Sequence, residues 1–94
     1  MTLPHYFESG RLSDPLGHYK GVTALSFSAH GSYLASAGLD NRICIWNPDT
    51  QKLLHSVEVS VAVLSLDWVQ SGEDILVCGL GDGTIVSLVL ESVR

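Results

Sequence analysis

The sequence is poor in charge. Only 16% of its 94 residues are Asp, Glu, Lys or Arg, against about a quarter in an ordinary globular domain. Five bases stand against ten acids, for a net charge of −5. The bases Arg11, Lys20, Arg42, Lys52 and Arg94 are scattered, so no basic patch points to nucleic acid or to an anionic membrane surface. No apolar run approaches the roughly 18 residues of a membrane-spanning helix. The opening Met1-Thr2-Leu3-Pro4-His5 lacks the charged and apolar regions of a secretory signal, and an intracellular location, cytoplasmic or nuclear, is expected. Cysteine is scarce. Cys44 and Cys78 are too few for a disulfide framework and are expected as buried free thiols. Helical patterning is missing as well. Only 51–58, where Leu53, Leu54 and Val57 fit a 3.6-residue period, could form a helix, and that stretch is too short to stand alone.

What is present is apolar and β-branched. Apolar residues make up 46% of the chain, which with so little charge excludes disorder for most of it. Residues 1–16 have no period and carry the turn formers Pro4, Gly10, Asp14 and Pro15. Within them 5–8 could form a short edge strand, giving the first unit an outer strand. From residue 17 on, short runs at 22–28, 33–37, 42–46 and 52–58 are each bounded by Gly, Pro, Asn or Asp, the mark of strands joined by tight turns. A strand about every ten residues implies an all-β antiparallel protein.

The second half repeats the first. Val22, Leu25, Phe27, Gly31, Gly38 and Leu39 recur 41 residues later as Val63, Leu66, Trp68, Gly72, Gly79 and Leu80. Asp40, Ile43 and Trp46 recur at a shift of 42 as Asp82, Ile85 and Leu88, which places one inserted residue near the second hairpin, at Gly81. A period of 40–45 residues with four strands in each unit marks a β-propeller blade.

The first unit resembles a WD40 repeat. Gly17-His18 stands where that family has its Gly-His pair, 34–38 reads Leu-Ala-Ser-Ala-Gly like the family's second strand, and Asp40 lies six residues before Trp46. The resemblance covers about 17–90, and Trp46-Asn47 varies the terminal Trp-Asp. It implies two four-stranded antiparallel blades, a partial propeller: an N-terminal extension at 1–16, a first blade at 17–58 and a degenerate second blade at 59–94. It also implies a hydrogen-bonded network of His18, Ser36, Asp40 and Trp46 inside the first blade. The second unit lacks that network. Its serine position is Val77 or Cys78 and its tryptophan position Leu88, which leaves Asp82 within an Asp82-Gly83 turn expected to be type I′. By resemblance, too, Tyr19, Lys20, Leu39 and its counterpart Leu80 are candidate partner contacts on the upper rim.

No constellation for chemistry emerges. A phosphate-cradling loop at 79–83 would need a following helix, whereas 84–90 reads as a strand. Glu73-Asp74 is an adjacent turn pair, not two carboxylates in contrasting environments. Neither C-x-x-C nor H-x-x-x-H spacing occurs. No catalytic residue, cofactor or metal ligand is therefore expected, and the chain reads as a non-catalytic protein-interaction scaffold with other proteins as partners. The alternative is a ligand-binding or enzymatic propeller using its central channel, where Asp67 is the polar residue to test. Two blades would each leave an apolar face in water. The expectation is therefore a piece of a longer propeller, several copies closing a ring, or pairing with another protein, the first being favoured.

Overall fold

The structure, a computed structural model, describes residues 10–69 and 73–90. It contains seven strands: β1 (Val22–Phe27), β2 (Leu34–Gly38), β3 (Arg42–Asn47), β4 (Lys52–Glu58), β5 (Val63–Trp68), β6 (Ile75–Leu80) and β7 (Ile85–Val89). The first four form one antiparallel sheet in chain order, and the last three form a second. No helix occurs among the described residues. The stretch with helical spacing is strand β4, whose backbone pairs with β3 from Asn47 to Arg42. The edge strand expected at 5–8 and a fourth strand of the second sheet at 91–94 lie outside the described residues.

The two sheets pack face to face. In strands successive side chains point to opposite faces, so Ala35, Ala37, Ile43 and Ile45 all face the second sheet. There they meet Val63, Trp68, Leu76, Cys78 and Leu80 in one buried cluster. Strand β5 lies across β1 and β2. Small residues on β2 let it approach closely, and each buried Ile, Leu or Val there contributes about 1.5–3 kcal/mol. Polar groups pin the same interface. The Thr23 hydroxyl donates to the Val63 carbonyl at 2.9 Å. The Trp68 indole N–H donates to the Ser26 carbonyl at 2.9 Å, and Tyr33 stacks on Trp68 with ring centroids 6.1 Å apart. The outward faces are less covered. Val22, Leu25 and Phe27 on the first sheet, and Leu64, Ile85 and Val89 on the second, are all exposed.

Strand pairing places the extra residue of the second unit elsewhere than at Gly81. Ser36 sits between Leu25 and Cys44, and Cys78 sits between Leu66 and Val86. Strands β2 and β3 therefore match β6 and β7 at a shift of 42, while β1 matches β5 at 41. The insertion lies in the β5–β6 connection, and hydrogen bonds that flank both hairpins agree. The Leu39 N–H donates to the Gly21 carbonyl, and the Gly81 N–H donates to the Ala62 carbonyl, both at 2.9 Å. The counterpart of Leu39 is thus Gly81, and that of Gly38 is Leu80.

The turn at Asp82-Gly83 also differs from the type I′ expectation. That turn needs positive φ at two successive residues, and here only Gly83, at +89°, has it. The Gly83 N–H donates to the Leu80 carbonyl and the Leu80 N–H to the Thr84 carbonyl. This is a type I turn closed by a left-handed glycine in a bulge, the usual three-residue hairpin loop. Asp82 favours it by accepting from the Thr84 N–H at 3.0 Å and the Thr84 hydroxyl at 2.6 Å.

Candidate functional site

A chain of side chains runs through the outward side of the first sheet. The Trp46 indole N–H donates to the Ser36 hydroxyl at 2.8 Å. Ser36 lies 2.7 Å from Nε2 of His18, and Nδ1 of His18 lies 3.1 and 3.0 Å from the two carboxylate oxygens of Asp40. A carboxylate only accepts, so Nδ1 carries a proton. Indole only donates, so the Ser36 oxygen accepts from Trp46 and its proton is free for Nε2. The chain has one direction, from Trp46 through Ser36 and His18 to Asp40. No buried side-chain nitrogen or oxygen among the described residues lacks a partner.

Local sequence builds this arrangement. Ser36 and Trp46 lie on the same face of paired strands, the pairs Leu34–Trp46 and Ser36–Cys44 being neighbours. Asp40 occupies the β2–β3 turn, followed by Asn41 at φ +60°, a left-handed position that asparagine tolerates better than most residues. His18 arrives on the segment before β1, which crosses over the sheet and covers Trp46, leaving it 3% exposed. Gly17 permits that crossing, because a Cβ there would lie 3.0 Å from the Trp46 ring. At Gly38 a Cβ would stand 2.6 Å from the Gly21 carbonyl, and 3.1 and 3.2 Å from Asp40 and His18. Among the described residues the second sheet shows no such network, and Leu80, the counterpart of Gly38, is buried in the core there.

Asp40 is an electrostatic hub. Burial pushes its carboxyl up, but hydrogen bonds from His18, from the Tyr19 N–H and from the Arg42 N–H outweigh that and hold it below the ordinary 3.8. Arg42 clamps the crossing segment from the other side. Its guanidinium donates to the Leu16 and Gly17 carbonyls at 3.0 and 2.9 Å and sits 5.0 Å from the Tyr19 ring centroid, within cation–π range. Both cysteines are buried free thiols. Burial raises each, Cys78 to about 11, which leaves them as inert thiols at neutral pH.

Above this network lies an exposed patch. The Tyr19 N–H is tied to Asp40 at 3.0 Å while its ring is 66% exposed. Lys20 is exposed with its ammonium 6.0 Å from that ring. Leu39, 55% exposed, stands over Gly21, where a Cβ would lie 3.7 Å from it. Tyr19, Lys20 and Leu39 therefore gather at one end of the first sheet. Leu80 does not join them. It is 8% exposed and packs in the inter-sheet core, because the shifted register puts it at the position of Gly38 and not of Leu39. Arg42 was not singled out from sequence. Its place two residues after Asp40, where a strand leaves the turn beside the incoming segment, is the signal for it.

Known proteins share this plan. The family model for the WD domain, G-beta repeat, matches residues 10–47. The Arabidopsis thaliana protein ALTERED SEED GERMINATION 2 is 35% identical over 72 residues, which is 73% of this chain and 10% of that protein. The human U3 small nucleolar RNA-associated protein 15 homolog is 32% identical over 68 residues, 72% of this chain and 13% of that protein. A crystal structure of the β-propeller domain of Cps50 (Swd1) aligns with a TM-score of 0.51 at 26% identity, covering 82% of this chain and 28% of the other.

The chain belongs to the WD40-repeat family.

A computationally designed protein, Ika4, superposes better still, with a TM-score of 0.67 at 25% identity over 87% of this WD40 chain and 49% of its own. The model's 10–47 match takes in the whole His18, Ser36, Asp40 and Trp46 network and stops where β3 ends. The WD40 chain spans about a tenth of the length of the relatives it matches.

Proposed function

We propose that this WD40 chain is a non-catalytic platform for another protein, and that the end of the first sheet bearing Tyr19, Lys20 and Leu39 is its contact surface. The observation that supports this reading is the contrast between a fully satisfied network and the exposed side chains directly above it. Asp40 anchors the backbone of Tyr19, and the turn it occupies presents Leu39. An aromatic ring and a leucine held out on rigid backbone suit a binding site, because little side-chain or loop entropy is lost on contact. Tyr19 flanked by Lys20 and Arg42 favours a partner segment with an apolar side chain beside a carboxylate. Ten acids against five bases favour protein over nucleic acid as that partner. WD40 repeats act in general as scaffolds, which agrees with this use.

The test is a comparison of proteins retained by the immobilised chain and by Tyr19→Ala, Lys20→Glu and Leu39→Ala, with thermal melts run in parallel. The expected result is a bound protein lost in all three variants at unchanged melting temperature. Retention of every bound protein by all three would place the contact elsewhere, and the absence of any specifically bound protein would overturn the scaffold reading.

A further inference from the structure

The side edge of the Arg42 guanidinium keeps donors in reserve. Nη1 is fully engaged, since it donates to the Leu16 and Gly17 carbonyls at 3.0 and 2.9 Å. That leaves Nε and Nη2, which together form a fork able to hold a carboxylate through two parallel hydrogen bonds. Among the described residues only Glu58 approaches this edge. Arg42 and Glu58 stand directly opposite each other on β3 and β4, yet the Glu58 carboxylate meets Nη2 alone, at 3.5 Å. A strong charged hydrogen bond measures about 2.7–2.9 Å. The Glu58 side chain is 78% exposed, so the edge it reaches opens on solvent, where an ion pair contributes little. The same guanidinium sits 5.0 Å from the Tyr19 ring centroid, which places an anion on this edge beside an exposed aromatic ring. These groups lie at the start of β3 and the end of β4, not on a sheet face, so further repeats stacked on either face leave them open.

We propose that the Nε–Nη2 edge of Arg42 receives a carboxylate of the partner protein, and that Glu58 is a built-in competitor for that edge. The inference rests on the contact surface of Tyr19, Lys20 and Leu39 proposed above, and it assigns the acidic contact to a residue outside that trio. Glu58 occupies the edge in the free chain and cedes it to a side chain that completes the fork. The incoming acid makes two short hydrogen bonds where Glu58 makes one long contact, while its apolar neighbour packs on the Tyr19 ring. Glu58 thereby sets a threshold, because an acid that brings no apolar contact is little better than the pair it displaces. Lys20, on a flexible stem with its ammonium 6.0 Å from the same ring, attracts the acid as a point charge without a fork's geometry.

The probe is the blocked dipeptide N-acetyl-Leu-Glu amide, one carboxylate beside one apolar side chain. It is titrated into the 94-residue chain and followed by NMR at the Arg42 Nε–H and the Tyr19 ring. Both signals should shift saturably, and N-acetyl-Leu-Gln amide should move neither. Glu58→Gln should tighten binding of the glutamate peptide about two- to fivefold, the effect of freeing an exposed pair. Asp49→Asn removes the same charge from the exposed connection at the other end of β4 and should leave the affinity unchanged. Arg42→Lys keeps the charge without the fork and should abolish the preference for the glutamate peptide over the glutamine peptide. Inorganic phosphate, titrated in parallel, should bind less tightly than the glutamate peptide. Equal binding of the two peptides, no shift up to the solubility limit, equal effects of Glu58→Gln and Asp49→Asn, or tighter binding of phosphate would each overturn the proposal. The retention experiment above separates this from the platform reading. A bound protein lost in Tyr19→Ala, Lys20→Glu and Leu39→Ala, together with a silent dipeptide titration, sinks the Arg42 assignment alone.

Discussion

A single hydrogen-bond chain concentrates much of the first sheet's stability in four side chains. Trp46→Phe removes the donor that Ser36 accepts, and Asp40→Ala leaves His18 and two backbone N–H groups without their acceptor. Each should destabilise by about 1–3 kcal/mol, read as a lower urea midpoint. Gly38→Ala should also destabilise, by a similar ~1–3 kcal/mol, because its methyl group meets the Gly21 backbone and not a side chain that can move aside. The carboxyl of Asp40 adds a pH signature. Its folded value lies below 3.8, so in acid the unfolded chain takes the proton first. The stabilisation is complete above that ordinary value and is lost as pH falls through the folded one. The urea midpoint should drop between about pH 5 and pH 2 in the native chain, and less steeply in Asp40→Asn.

At the scale of the element, the two hairpins solve one problem with different means. The β2–β3 turn uses Asp40 to bind a distant histidine and Asn41 to take the left-handed backbone position. The β6–β7 turn uses Asp82 locally, on Thr84, and gives the left-handed position to Gly83. Hydrogen bonds from Thr84 hold the Asp82 carboxyl below 3.8 as well, but this group is exposed and guards only its own turn. Gly83→Ala should cost about 1 kcal/mol by forcing a β-carbon into positive φ, measured in the same urea titration. The network of His18, Ser36, Asp40 and Trp46 was named through the resemblance to a WD40 repeat, since His18 and Asp40 lie 22 residues apart with β1 and β2 between them. The location of the inserted residue was not legible, since in letters Gly79-Leu80 repeats Gly38-Leu39, whereas strand pairing sets it against Ala37-Gly38. Only backbone pairing separates the two alignments, and with them an exposed Leu39 from a buried Leu80.

At the scale of the molecule, the sheets are coupled through a dry interface with two polar pins. Trp68→Phe and Thr23→Val should each remove about 1 kcal/mol, and both should lower one common transition followed by circular dichroism and by Trp fluorescence. Two separate transitions would show that the sheets unfold independently. Cys44 and Cys78 report on the same event. Their burial and raised thiol values predict that a thiol reagent at neutral pH modifies neither until the chain unfolds.

The sequence by itself determined the alternation that makes strands, the turn residues that end them and the repetition of one unit. Those features depend on short spacings along the chain and on the chemistry of each residue, so no knowledge of distant contacts is needed to read them. The tertiary structure decided the rest: which face of each sheet is dry, that the segment before β1 roofs Trp46, that Arg42 joins Tyr19, and that Leu80 fills space that the first sheet leaves to a histidine and an aspartate. Burial is a property of what lies opposite a residue, and a one-residue step in register exchanges the covered face of a strand for the open one.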